Sequence, residues 1–259
     1  MVDLPSVDPT ELFTNSWFQE YQRQQKTIGY ELLKLNACLF VLNKIEVFPF
    51  FLFAPYREKS LFWRLTSDCM AESAVLVIWK VYIDNDARGL TLRQFKNGII
   101  KNLKNDEVRE SLQATLRHDD FEGQLSQFEK FEKKVYDLRL NIVAHWNQDW
   151  ISADDTFRAL HAIGFSQLQA VADILNKFFQ LLCFGSGFTT MPSDYEITKH
   201  DPSSIIDIDE LLDDIARKSE ALYWPEKNPH IWQQRKAELS TDEIDIFNRY
   251  REKFELAPA

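Results

Sequence analysis

The sequence predicts an all-α chain: an up-and-down helical bundle followed by a smaller acidic helical appendage. Three observations predict it. Apolar residues recur at spacings of three and four along several long stretches, the pattern of one buried helical face. Only 7 of 259 residues are glycine, too few for a turn-rich β protein. The chain is 45% hydrophobic and contains 20 Phe and 7 Trp, enough to fill a sizeable core and to exclude general disorder.

The elements follow in order. Residues 1 to 14 contain Pro5 and Pro9 and read as a loose lead-in. The bundle is expected over 15 to 187, and the acidic extension over 188 to 259. A long helix from about Ser16 to Ile45 carries Ile28, Leu32, Leu35, Leu39 and Leu42, a bundle seam. Pro49 and Pro55 bracket Phe50-Phe-Leu-Phe53, either a short strand or a buried aromatic plug. The next helix, about Arg57 to Ile83, places Leu65, Cys69, Leu76, Trp79 and Ile83 in one stripe, with Glu72 in the vacant place. From Ala74 it is apolar nearly all round, so it is expected to be the most buried helix. Gly89 marks a turn, Thr91 caps a shorter helix to about Leu103, and another runs from Asp106 to about Leu116.

A helix from Phe121 to Trp146 follows, seamed by Phe128, Phe131, Val135, Leu138 and Ile142. Ser152 to Asp155 offers caps for a short helix. Ser166 with Gln169 three residues later forms a capping-box pattern that opens the last bundle helix, lined by Leu168, Val171, Leu175, Phe178 and Leu182. In the extension, Tyr195 to Thr198 reads as a short strand. Ser204 opens an acidic helix, Pro225 and Pro229 break it, and Ser240 with Glu243 caps a final helix.

Cysteines and charge narrow the class. Cys38, Cys69 and Cys183 lie far apart in apolar runs and have no metal-ligand spacing, so they are expected to be reduced core residues in a cytoplasmic protein. The first eight residues are acidic and polar, unlike a signal peptide, and no apolar run is long enough to span a bilayer. Net charge is −10, and the stretch from Ser193 onward carries 16 acidic and 9 basic residues. A broad nucleic-acid-binding surface would be basic, so any RNA contact must be local or made with a partner.

One spacing carries chemistry. Arg139 and His145 close the most regular seam without belonging to it. On a helix, six residues place them roughly 120° apart around the axis and about 9 Å apart along it, within reach of one place beside a packed core. Leu138-Arg139 followed by Ala144-His145 in a helical chain resembles the HEPN superfamily, nearest its abortive-infection, AbiU-like branch. The resemblance covers roughly residues 15 to 185. It implies a helical bundle that dimerises so that two motifs face one cleft. It also implies metal-independent ribonuclease activity with no cofactor. Expected partners are RNA, a second copy of the chain, and an antitoxin or nucleotidyltransferase. Leu140 stands where many catalytic members carry a polar residue; Asn141, one position on, is the candidate substitute.

The residue types suit that chemistry. An imidazole titrates near neutral pH, so His145 would take the 2′-OH proton or return one to the leaving oxygen. The Arg139 guanidinium would hold the phosphate and stabilise its growing charge. Asn141 would hydrogen-bond the phosphate or the His, and Trp146 would stack on a base. Glu72 would orient Arg139, because a carboxylate in the stripe of a buried helix needs a partner. Each has a plainer alternative: a His binding the last carbonyls of its helix, a Trp packing in the core, and Glu72 and Asp68 at a solvated stripe edge. His118, His161, His200 and His230 show no metal spacing and are assigned to surface or local packing.

Overall fold

The structure, a computed structural model, describes residues 8–53, 61–84, 89–127, 133, 135, 164–184 and 202–259. All regular structure among these residues is helical, with no strand. In chain order the α-helices are α1 (Pro9–Leu12), α2 (Asn15–Val47), α3 (Phe50–Phe53), α4 (Leu61–Ile78), α5 (Leu92–Asn102), α6 (Asp106–Asp119), α7 (Phe121–Ser126), α8 (Phe165–Leu181), α9 (Pro202–Lys218), α10 (Trp224–Lys227), α11 (Pro229–Glu238) and α12 (Thr241–Lys253). No described helix is long and apolar enough to cross a membrane. The chain forms two compact units: Met1–Leu42 with Asp68–Ile197, and Asn43–Ser67 with Thr198–Ala259.

In the first unit the α2 seam is buried as its spacing predicts: Ile28, Leu32, Leu35, Leu39 and Leu42 all lie in the core. Thr91 caps α5 through a reciprocal pair with Gln94, and Asn105 caps α6 by accepting from the Glu107 and Val108 amides. Asp120 ends α6 in the left-handed region, φ 45°, and its carboxylate then caps α7 by accepting from the Gly123 amide at 3.2 Å. A β-carbon at 123 would press on the Asp120 carboxylate, which would have to shift to make room. The α8 residues Leu168, Val171, Leu175, Phe178 and Leu182 are buried as expected.

Among the described residues, the first unit's interior polar groups are neutral. The Asn36 and Asn176 carboxamides exchange hydrogen bonds at 3.3 and 2.9 Å between α2 and α8. The Tyr21 hydroxyl donates to the Leu182 carbonyl at 3.2 Å and accepts from the Phe184 amide at 2.8 Å. Gln25 is buried against the Cys183 thiol with neither amide atom in an ordinary hydrogen bond. Burial pushes that thiol up to about 12, so Cys183 is held as the unreactive thiol.

Two expectations in this unit are corrected. On α4 and the turn after it the stripe drawn from spacing is mostly not the buried one: Leu65 and Cys69 are exposed and Leu76 and Ile83 half-buried, with only Trp79 of that stripe buried, beside Ala74, Val75, Val77 and Ile78. A helix apolar all round fits several stripes equally well, so periodicity does not select one. The last turn is also a π-helix, Trp79–Ile83, whose wider pitch shifts the face that follows. At α8, Ser166 is not the cap. The helix starts one residue earlier, at Phe165, with Gly164 as N-cap and no side-chain cap.

The second unit joins the aromatic segment around α3 to the helices after Pro202. Phe50–Phe53 is a short helix, with Phe50, Leu52 and Phe53 buried. Phe50 packs on Trp63 at 5.7 Å, and Phe53 on Tyr250 at 4.9 Å. Trp232 stacks on Phe247 at 4.5 Å. The acidic helix α9 starts at Pro202, ahead of Ser204, and ends at Lys218; Ser219 opens a 3-10 turn over Glu220–Tyr223. Pro225 and Pro229 then sit in the first turns of α10 and α11, where a missing amide costs nothing. Ser240 and Glu243 form the expected reciprocal cap, at 3.3 and 2.7 Å.

Several carboxylates of this unit are engaged. Lys44 donates to both Asp209 oxygens, at 2.8 and 2.9 Å; Lys218 pairs with Asp214, and Lys253 with Asp213. At the centre, Arg251 is 0% exposed. Its guanidinium donates to the Glu226 carboxylate and to the carbonyls of Leu222 and Ala257, and it lies over the Phe247 ring at 6.0 Å. Val47, Phe51, Phe62, Leu65 and Leu211 are exposed.

Candidate functional site

The expected site divides into a framework that the structure describes and a motif that falls elsewhere. Arg139, Asn141, His145 and Trp146 lie outside the described residues. So do His161, His200, the Ser152–Asp155 caps and the strand expected over Tyr195 to Thr198. On the motif's N-terminal side, the α7 residues Phe121 and Leu125 are buried, and Val135, four positions before Arg139, is buried in the same core. Phe121 stacks on Phe178 of α8 at 5.1 Å with the planes 12° apart. Val135 is the described residue nearest the motif on this side, and Leu138 and Ile142, the seam positions that follow it, lie outside the described residues.

Glu72 is the one expected site residue that is described. It lies half-buried on α4, with Asp68 one turn before it. Burial raises its carboxyl above the usual range, and the neighbouring Asp68 charge raises it further. It has no cationic partner among the described residues. Its environment thus favours a protonated carboxyl or an approaching cation.

A shallow concavity of about 480 Å³ opens where α6 turns into α7, lined by Asp119, Phe121, Gln124, Lys177, Gln180 and Leu181. Gln124 is committed to the Asp119 carbonyl at 2.6 Å, which leaves Lys177 as the cationic group on the rim. No cluster of three or more His, Cys, Asp or Glu side chains with metal-binding geometry occurs among the described residues. His118 and His230 are exposed.

No family model, curated protein or solved structure matches this chain. The resemblance to the HEPN superfamily therefore rests on Leu138-Arg139 and Ala144-His145 themselves. Sequence reasoning does not single out Arg251, because its burial depends on Glu226, 25 positions away. Nor does it single out Tyr30, which spacing leaves outside the α2 seam and which proves to be widely exposed.

Proposed function

We propose that this chain is a metal-independent endoribonuclease of toxin or anti-phage-defence type, acting in the cytoplasm as a homodimer with two motifs facing one cleft. The observation that carries the proposal is Arg139, five intervening residues and His145, in an all-helical chain. His145 accepts the 2′-hydroxyl proton as that oxygen attacks the adjacent phosphorus. The 5′-oxygen then leaves with the proton that the protonated His145 imidazole returns to it, and a 2′,3′-cyclic phosphate remains. Arg139 holds the phosphate through its planar fork and stabilises the charge of the pentacoordinate transition state. Asn141 adds a hydrogen bond to the phosphate, and Trp146 stacks on a neighbouring base. Glu72 orients Arg139, and its unpartnered, half-buried carboxylate supports that role. An antitoxin or nucleotidyltransferase partner holds the activity in check.

Leu140 favours a second version, a non-catalytic HEPN-like module that binds RNA or a protein partner without cutting. One experiment separates the two. Purified protein is incubated with RNA in excess chelator, wild type beside His145→Ala and Arg139→Ala. Cleavage by wild type alone supports the nuclease; binding without cleavage by any of the three supports the module. Light scattering tests the dimer.

A further inference from the structure

The chain carries a net charge of −10, yet one exposed face of α2 is basic. Gln19, Arg23, Lys26, Tyr30 and Lys34 are all exposed, and at 100° per residue they fall within a sector of about 80°. Lys80, from the π-helical turn after α4, stands beside this face, 3.7 Å from Glu31. Four cations (Arg23, Lys26, Lys34 and Lys80) meet two carboxylates, Glu20 and Glu31. Glu20 is committed to Arg23 and Gln24. Glu31 is shared between Lys34 at 3.3 Å and Lys80 at 3.7 Å, so it neutralises only one of them. Lys26 has no ion pair among the described residues. The face therefore keeps an uncompensated positive charge.

Tyr30 sits in the middle of it and is 65% exposed. It is the only exposed large apolar side chain among the described residues of the first unit. Lys26, Tyr30 and Lys34 follow one another at steps of four residues, about 6 Å along the axis. A single nucleic-acid strand lays down phosphates and bases at comparable intervals. Lysines that track a backbone, with an aromatic ring on which a base stacks, are the components of sequence-tolerant single-strand binding.

We infer that the Arg23–Lys26–Tyr30–Lys34 ridge of α2, with Lys80 at its side, is a docking surface for single-stranded RNA. It holds the strand by its phosphates and one stacked base. This rests on the RNA reading of the proposed function and extends it to a surface remote in sequence from Arg139 and His145. A membrane surface fits less well, because an interfacial helix needs several apolar residues on one face, and Tyr30 here stands among Gln19, Arg23, Lys26 and Lys34.

The test is fluorescence anisotropy with a labelled oligouridylate of about 12 nucleotides and the full chain bearing His145→Ala, so that the probe stays intact. Tyr30→Ala is expected to weaken binding at least about fivefold, the lower end for one stacked base. Lys26→Glu with Lys34→Glu is expected to weaken it more than tenfold. The double change also flattens the dependence of log affinity on log salt by about 1.4, roughly 0.7 for each single-strand phosphate that is no longer neutralised. Lys101→Glu, an exposed charge change on α5, is the control and leaves affinity within about twofold.

No binding at 50 mM salt overturns the inference, as does parent-like binding by the ridge variants. Equal binding of blunt duplex RNA, or of anionic vesicles, with the same dependence on the ridge also overturns it. The nuclease proposal fails separately: if wild type does not cut while the ridge variants lose binding, the ridge stands without the enzyme. If the ridge variants bind and cut as wild type does, the enzyme stands without the ridge.

Discussion

The two units solve the same problem, a polar group inside a helical core, in opposite ways. The first uses neutral partners: the Asn36–Asn176 amide pair and the Tyr21 hydroxyl between the Leu182 carbonyl and the Phe184 amide. The second buries a full positive charge, Arg251, and surrounds it with Glu226 and backbone carbonyls. A neutral pair works at any ordinary pH and salt concentration. A buried cation works only while its carboxylate stays ionised and its carbonyls stay in place. The second unit should therefore be the conditionally stable one.

The sharpest way to break that contrast is Arg251→Met. It removes the Arg251 donors from the Leu222 and Ala257 carbonyls and leaves Glu226 without that partner, at an expected cost of about 3 kcal/mol. Hydrogen exchange should show reduced amide protection in α11 and α12, with α5, α6 and α8 unchanged. Equal loss in both sets would mean that the units do not differ in this way.

Acid should produce the next largest effect. The Arg251 hydrogen bonds hold the Glu226 carboxyl below the usual glutamate range. Its stabilisation is therefore complete above the ordinary glutamate value and lost as pH falls through the lowered one. Protonation leaves the guanidinium buried without a counter-charge. On titration toward pH 3, protection should fail in α11 and α12 before it fails in α2 and α8. Failure of the first unit at the higher pH would reverse the comparison.

Asn36→Leu tests the neutral side. It strands the Asn176 amide in the core and should cost about 1–2 kcal/mol by urea unfolding. Adding Asn176→Leu should recover part of that loss, since it removes the amide that the first change left without its Asn36 partner. A double mutant as unstable as the sum of the singles would show that packing, and not hydrogen bonding, governs the site.

The smallest effect belongs to Glu72→Gln. Burial and Asp68 raise the Glu72 carboxyl, so its favourable contribution is present below the unfolded glutamate value and lost as pH rises through the raised one. The group is half-exposed, and solvent discounts the effect. If no cation stands beside Glu72, the variant should melt at most about 2 °C higher at pH 7 and no higher at pH 4, whereas the Arg139 pairing of the proposed function requires the opposite sign at pH 7. A lower melting temperature at pH 7 would show that the carboxylate has a favourable partner.

Much of the helical framework is legible in the sequence because it is local. The α2 seam, the Thr91 cap and the Ser240–Glu243 pair each need only residues within a few turns. What is not legible depends on distance or degeneracy. An α4 segment apolar on every side gives no phase, so spacing assigns Leu65 and Cys69 to a face that is exposed. Ser166 and Gln169 make a plausible cap, yet Gly164 starts the helix one residue ahead of Phe165. Arg251 reads as one more surface arginine; only the fold closes Glu226 and the Leu222 carbonyl around it. For the candidate site, spacing selects Arg139, Asn141, His145 and Trp146, all outside the described residues. Glu72 is described, half-buried on α4 and without the cationic partner, among the described residues, that its place in an apolar helix calls for.

The second unit is assembled from Asn43–Ser67 and from Thr198 onward, with the whole length of the first unit's remaining chain between them. During synthesis, Phe48, Phe50, Phe53 and Trp63 emerge long before Trp232, Phe247 and Tyr250 exist to cover them. At roughly 5–20 residues per second the delay is on the order of ten seconds. For that interval the nascent chain presents a cluster of bare aromatic rings, a natural handle for a chaperone and the place where a stalled or truncated product would begin to aggregate.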